Sequence, residues 1–153
     1  MEQTERKKRV ILIGRSTAGK TTLCQRIAHQ DLVYHKTQTV QIFNQTMIDT
    51  PGEYLQRRYF RGALMVTSVE ADIILFVQDA TEDTTWFPPS YNTQFGKPAL
   101  GIITKADIAT PEQIETAKKF LTTAGASKIF VTSSVRGEGV DELLEFLGYL
   151  YRA

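Results

Sequence analysis

The chain has 153 residues, 42% of them apolar and 23% charged, with 18 lysines and arginines against 17 aspartates and glutamates. That length suffices for one buried core and leaves no room for a second, so a single domain over residues 1–153 is expected, and a net charge of +1 excludes bulk attraction to nucleic acid or to an anionic membrane. The lone Cys24 excludes an internal disulfide, and no stretch approaches the roughly 18 apolar residues of a membrane span, so a cytoplasmic protein without a membrane anchor is expected.

Arg6-Lys7-Lys8-Arg9 reads as a solvated strand entry, because the apolar run Val10-Ile11-Leu12-Ile13 follows at once. That run, ended by Gly14, has the pattern of a central strand covered on both faces. A helix is expected from Lys20 to about Gln30. Thr37–Phe43 and Gln45–Ile48 read as two strands of an edge hairpin turning at Asn44. Tyr54–Val69 has helical spacing, with Leu55, Tyr59, Leu64 and Val69 apolar, and Ile73–Val77 is another buried strand. Asp79–Lys97, with Pro88, Pro89 and Gly96, reads as a long loop. Ala99–Thr104 is the next strand. Thr110-Pro111-Glu112-Gln113 announces a helix that Gly125 ends. Lys128–Thr132 makes a short strand, and Val140, Leu143, Leu144, Leu147 and Leu150 form the stripe of a terminal helix. Strands alternating with helices predict an α/β fold with a mostly parallel sheet, here of six strands.

Three motifs carry chemistry. Gly14-Arg15-Ser16-Thr17-Ala18-Gly19-Lys20-Thr21 matches the phosphate-binding loop G-x-x-x-x-G-K-[ST], set between a buried strand and a helix start. Its glycines let backbone N–H groups converge on phosphate oxygens, and the helix start adds the positive end of its dipole. Lys20 would neutralise the β- and γ-phosphates, Thr21 would bind Mg2+, and Ser16, Thr17, Ala18 and Thr22 complete the expected contact set. Lys20 is read as a surface cation on which the loop backbone does not depend. Asp49-Thr50-Pro51-Gly52-Glu53 follows a strand; Asp49 is the candidate for the other side of the magnesium, and Gly52 can offer its N–H to a γ-phosphate. Thr104-Lys105-Ala106-Asp107 closes a further strand, where Asp107 can accept from guanine N1–H and its exocyclic amine.

The order of these motifs resembles the small GTPase-like P-loop NTPase fold over essentially the whole chain, which implies a three-layer sandwich. The resemblance makes Thr104-Lys105-Ala106-Asp107 the counterpart of Asn-Lys-x-Asp, with Thr104 in the asparagine position. Ser133 and Ser134 match the first two positions of the Ser-Ala-Lys base loop, and Val135 stands where the lysine would be. Tyr34-His35-Lys36-Thr37-Gln38, Ile48–Tyr54, Glu70–Ile74 and Thr104–Asp107 narrow the resemblance to the EutP/PduV family of ethanolamine- and propanediol-utilisation proteins, nearer the PduV side. That family is linked to bacterial microcompartments, so a shell or pathway component is an implied protein partner.

Read as a GTPase, the chain needs a switch threonine to complete the magnesium shell. Thr37 is preferred over Thr39, though both suit the outward face of an edge strand. Glu53 stands where many small GTPases carry a water-orienting glutamine, and an ionised carboxylate facing phosphate predicts slow turnover. Lys20, Glu53 and Thr37 are therefore the candidate catalytic residues. The expected ligands are GTP or GDP with Mg2+. ATP stays open, because the phosphate loop alone serves either nucleotide, and with it stay two alternatives: a phosphotransferase acting on ATP and a small carboxylate (acetate-kinase-type), and a nucleotide-bound docking module. The segment Trp86–Phe95 has two readings, a docking surface or a cap in which Trp86 and Phe95 fold back over the sheet.

Overall fold

The computed structural model describes residues 9–15, 17–26, 47–50, 52, 55 and 61–147. Five strands, β1 (Val10–Ile13), β2 (Met47–Asp49), β3 (Ile73–Asp79), β4 (Ala99–Thr104) and β5 (Ile129–Val131), form one sheet in the order β2-β1-β3-β4-β5, with every pairing parallel. The count is five among the described residues rather than six, because the expected strand over Thr37–Phe43 lies outside them. β3 runs two residues beyond the expected Ile73–Val77, carrying the buried Gln78 and Asp79.

Helix α1 covers 20–26 within the described residues. It is followed by α2 (Arg61–Ser68), α3 (Pro111–Ala124) and α4 (Val140–Leu147). Alternate residues of the buried strands face opposite layers, as the pleat requires. Val10, Leu12, Leu75 and Val77 pack with Leu23 of α1 and with Val140, Leu143, Leu144 and Leu147 of α4. On the other face Ile11, Ile13, Ile74 and Phe76 pack with Leu64 of α2 and with Ala117, Leu121 and Ala124 of α3. The result is an α/β sandwich of three layers.

Helix α3 shows how local chemistry places an element. The Thr110 hydroxyl accepts from the Gln113 N–H while the Gln113 side chain accepts from the Thr110 N–H, and Gly125 ends the helix at φ 103°. Such a cap contributes about 1 kcal/mol. Gly101 lets α3 sit closely on β4, since a Cβ there would lie 2.9 Å from Leu121 Cδ1. Lys97 closes the far end of α2 by donating to the carbonyls of Ser68, Val69 and Ala71 at 2.5, 2.9 and 2.6 Å.

The segment between β3 and β4 contains a short 3-10 turn at Tyr91–Gln94 and covers the sheet beside α3. Phe87 and Phe95 are buried, and the Phe76 ring meets those of Phe87, Tyr91 and Phe95 at 4.9, 5.5 and 6.4 Å. Capping therefore describes Phe95 correctly but not Trp86, which is 45% exposed. Phe87 takes the place expected for it.

Candidate functional site

In an all-parallel sheet the carboxyl ends of the strands share one edge, where open α/β sheets bind ligands. Here that edge gathers Gly14 after β1, Asp79 closing β3, Thr104 closing β4 and Thr132 after β5. The register sets Asp79 directly beside Thr104.

The phosphate-loop segment leaves β1 as a tight curl. The Ala18 N–H donates to the Arg15 carbonyl at 3.0 Å, and the Leu23 N–H donates to the Gly19 carbonyl at 2.9 Å as α1 begins. Gly14 is required by a close approach, because a Cβ there would lie 2.6 Å from the Val77 carbonyl oxygen. Gly19 adopts φ +91°, a conformation that favours glycine. Lys20 is 5% exposed, and its ammonium donates to the carbonyls of Gly14 at 2.9 Å and Arg15 at 3.0 Å. The cation is thus buried across the curl and braces it, which corrects the expectation of a surface cation independent of the backbone. Thr17, Thr21 and Thr22 are exposed along this edge, while Ala18 is buried.

The second motif is described in part. Asp49 pairs with Leu12 at the end of β2, and Thr50 is pinned behind it, its hydroxyl donating to the Leu12 carbonyl at 2.7 Å. Gly52 is buried and its carbonyl accepts from the Leu55 N–H at 3.1 Å. The backbone therefore brings Asp49-x-x-Gly52 alongside the strand that leads into the phosphate loop. Ser16, Thr37, Thr39, Glu53 and the Asp49 side chain lie outside the described residues.

The corner that carries Asp107 is assembled from three strand ends. Thr104 is buried and its hydroxyl donates to the Ala18 carbonyl at 2.6 Å. Threonine in the asparagine position thus ties β4 to the phosphate loop. Lys105 follows with a left-handed backbone, φ 63°, and its ammonium donates to the Thr17 carbonyl at 3.1 Å and to Asp79 Oδ2 at 2.8 Å. Asp107 Oδ1 accepts from the Ser133 hydroxyl at 2.9 Å. Ser133 is fully buried, its N–H donates to the Glu138 carbonyl and its carbonyl accepts from the Gly137 N–H. Its side chain therefore orients Asp107. Ser134 keeps a buried hydroxyl that has no hydrogen-bond partner among the described residues.

Sequence reasoning missed Asp79, which it placed at the start of a loop. The available signal was a carboxylate directly closing an apolar strand on the edge that carries the other motifs. Burial pushes the Asp79 carboxyl up, but hydrogen bonds from Lys105 and from the Thr81 hydroxyl and N–H, with the Lys105 charge, outweigh that and hold it below the usual carboxylate range. Glu82, three residues on, pairs with Arg15 of the phosphate loop at 2.6 Å.

The donor set fits a nucleotide with Mg2+: a backbone curl closed by a buried ammonium, and hard oxygen donors expected at Thr21 and Asp49. Among the described residues no cluster of three or more His, Cys, Asp or Glu forms a metal site of its own. Nor is any helix among them long and apolar enough to cross a membrane.

Comparison with known proteins agrees with this geometry. The family model described as ethanolamine utilisation–propanediol utilisation, PduV-EutP, matches residues 7–149. The propanediol utilization protein PduV of Citrobacter freundii is 43% identical over 140 residues, 92% of this chain and 93% of that protein. The probable acetate kinase EutP of Escherichia coli K12 is 28% identical over 144 residues, 94% of this chain and 91% of that protein. Among solved structures, translation elongation factor SelB of Methanococcus maripaludis superposes with a TM-score of 0.65 at 22% identity, over 95% of this chain but only 33% of its own, a likeness of fold. With the family model spanning nearly the whole sequence, the chain belongs to the PduV-EutP family of ethanolamine and propanediol utilisation proteins.

Proposed function

We propose that this chain, as a single domain, binds GTP or GDP with Mg2+ and hydrolyses GTP slowly, as a cytoplasmic switch in ethanolamine or propanediol utilisation. The observation that carries the reading is the joining of the two loops: Thr104 and Lys105 each donate to a phosphate-loop carbonyl, so the corner bearing Asp107 is fixed relative to Lys20. A ligand with a guanine at one end and phosphates at the other matches that spacing of functions. Gly14, Ser16, Thr17, Ala18, Gly19, Lys20, Thr21, Thr22 and Gly52 would hold the phosphates, with Thr21, Asp49 and Thr37 on the metal. Thr104, Lys105, Asp107, Ser133 and Ser134 would form the base side, Asp107 accepting from guanine. Lys20 would stabilise charge developing on the transferred phosphoryl group. Glu53, ionised, orients water poorly, so turnover is slow. Microcompartment association and a shell or pathway partner are part of the proposal, supported by the family's pathway.

A second reading is supported by the EutP relative, a probable acetate kinase: transfer of phosphate from ATP to a small carboxylate. Phosphate release from GTP with Mg2+, measured beside acetate-dependent ADP formation from ATP, tests the two together. Slow GTP turnover without acetate dependence is the expected result. Acetate-dependent ATP turnover exceeding GTP hydrolysis overturns the switch and establishes the kinase, whereas tight nucleotide binding with no turnover of either leaves a docking module.

A further inference from the structure

Asp79 is 3% exposed at the end of β3, and its two carboxylate oxygens are divided between two loops. Oδ1 accepts from the Thr81 N–H at 2.8 Å and the Thr81 hydroxyl at 2.6 Å, which fixes the carboxylate to its own chain segment. Oδ2 accepts from Lys105 Nζ at 2.8 Å. The same ammonium reaches the Thr17 carbonyl at 3.1 Å, so one lysine links three segments. Lys105 has a left-handed backbone, which a residue with a side chain keeps only where its surroundings hold it. At 39% exposure a lysine side chain without an anchor would sample many rotamers in water.

From this geometry we infer that Asp79 is a positioning residue for the nucleotide site: by pairing with Lys105 it holds that ammonium against the phosphate loop and sets Asp107, two residues on, in its base-reading place. Asp79 touches no ligand in this role and acts through Lys105. The Arg15–Glu82 pair ties the next turn of the same segment to the phosphate loop, so residues 79–82 brace it from two sides. The inference rests on the nucleotide reading proposed above and adds to it the group that orders the base corner.

Affinities for GTP and ATP, measured by titration with Mg2+ on the unmodified chain, Asp79→Asn, Lys105→Met and the double variant, test the inference. Asp79→Asn keeps the size of the side chain and an oxygen for Thr81 while removing the charge, and it should weaken GTP binding roughly tenfold and narrow the GTP-over-ATP ratio. In the Lys105→Met background the same change should shift affinity by less than about twofold, because the two residues act as one unit. Additive effects, or an unchanged Asp79→Asn, overturn the role of Asp79. If Asp79→Asn does not fold, Thr81→Val replaces it: losing one donor to the carboxylate should weaken GTP two- to threefold or so, and no change overturns the inference. Failure of the unmodified chain to bind GTP removes the nucleotide reading itself, a result distinct from intact binding with a flat cycle.

Discussion

The phosphate-loop segment and the corner that carries Asp107 sit on the same sheet edge but are built in opposite ways. The first is one run of eight residues whose buried lysine, Lys20, braces the run that carries it. The second brings together Asp79, Lys105, Asp107 and Ser133 from three strand ends, with hydrogen bonds spanning 26 residues in chain order. A local curl is specified by its own sequence, whereas an assembled corner exists only once the sheet has set its register. Substitutions in the first should therefore act on phosphate binding directly, and substitutions in the second should act through geometry and reveal themselves in base preference.

Lys20→Ala is expected to have the largest effect, lowering affinity for GTP and ATP alike by about 100-fold, or about 2.7 kcal/mol. Because the ammonium also braces two carbonyls, the variant should lose about 1 kcal/mol in urea unfolding as well. Unchanged triphosphate binding would remove the phosphate-loop assignment. Asp107→Asn should act on the base alone: GTP weakened about 30-fold, close to 2 kcal/mol, ATP little changed, and preference moved toward xanthosine triphosphate. Equal losses for GTP and ATP would make Asp107 structural.

A smaller effect is expected in the pH dependence of stability. Asp79 is held below the ordinary carboxylate range, so its folded pKa lies below its unfolded one and the unfolded chain takes up the proton first. Its contribution is therefore complete above the ordinary carboxylate range and is lost as the pH falls through the depressed value. Urea unfolding from neutral to acid pH should show a shallower acid limb in Asp79→Asn than in the unmodified chain; parallel curves would contradict the assignment. The smallest effect belongs to Trp86→Ser. With Phe87 buried in its stead, the indole is half exposed, and the change should alter unfolding free energy by about 0.5 kcal/mol or less. A loss of several kcal/mol would restore Trp86 as a cap.

What could be read in advance follows the same division. The buried strands β1 and β4 and helix α3 were legible, because apolar runs and a Thr-Pro-x-Gln cap are local signals. The placing of Lys20 after β1, and of Thr104 and Asp107 at and just after the end of β4, was legible through motif spacing. The polar ends of strands were not: Gln78 and Asp79 break the apolar run, so the strand was ended at Val77 and Asp79 read as the start of a loop, although pairing with Ile103 and Thr104 keeps both in β3. Nor was the burial of Lys20, since sequence spacing does not disclose that two carbonyls of its own loop fold over the ammonium. Ser133 was matched to the first position of a base loop. That its hydroxyl donates to Asp107 depends on how β5 meets β4, which no local pattern encodes.

Whether these two regions form one guanine nucleotide site is decided by competitive titration of the purified chain with GTP and ATP in the presence of Mg2+. GTP should bind at least about tenfold tighter than ATP, the discrimination expected when the Asp107 carboxylate is matched by guanine donors and left unmatched by adenine. ATP binding as tight as GTP or tighter would contradict it.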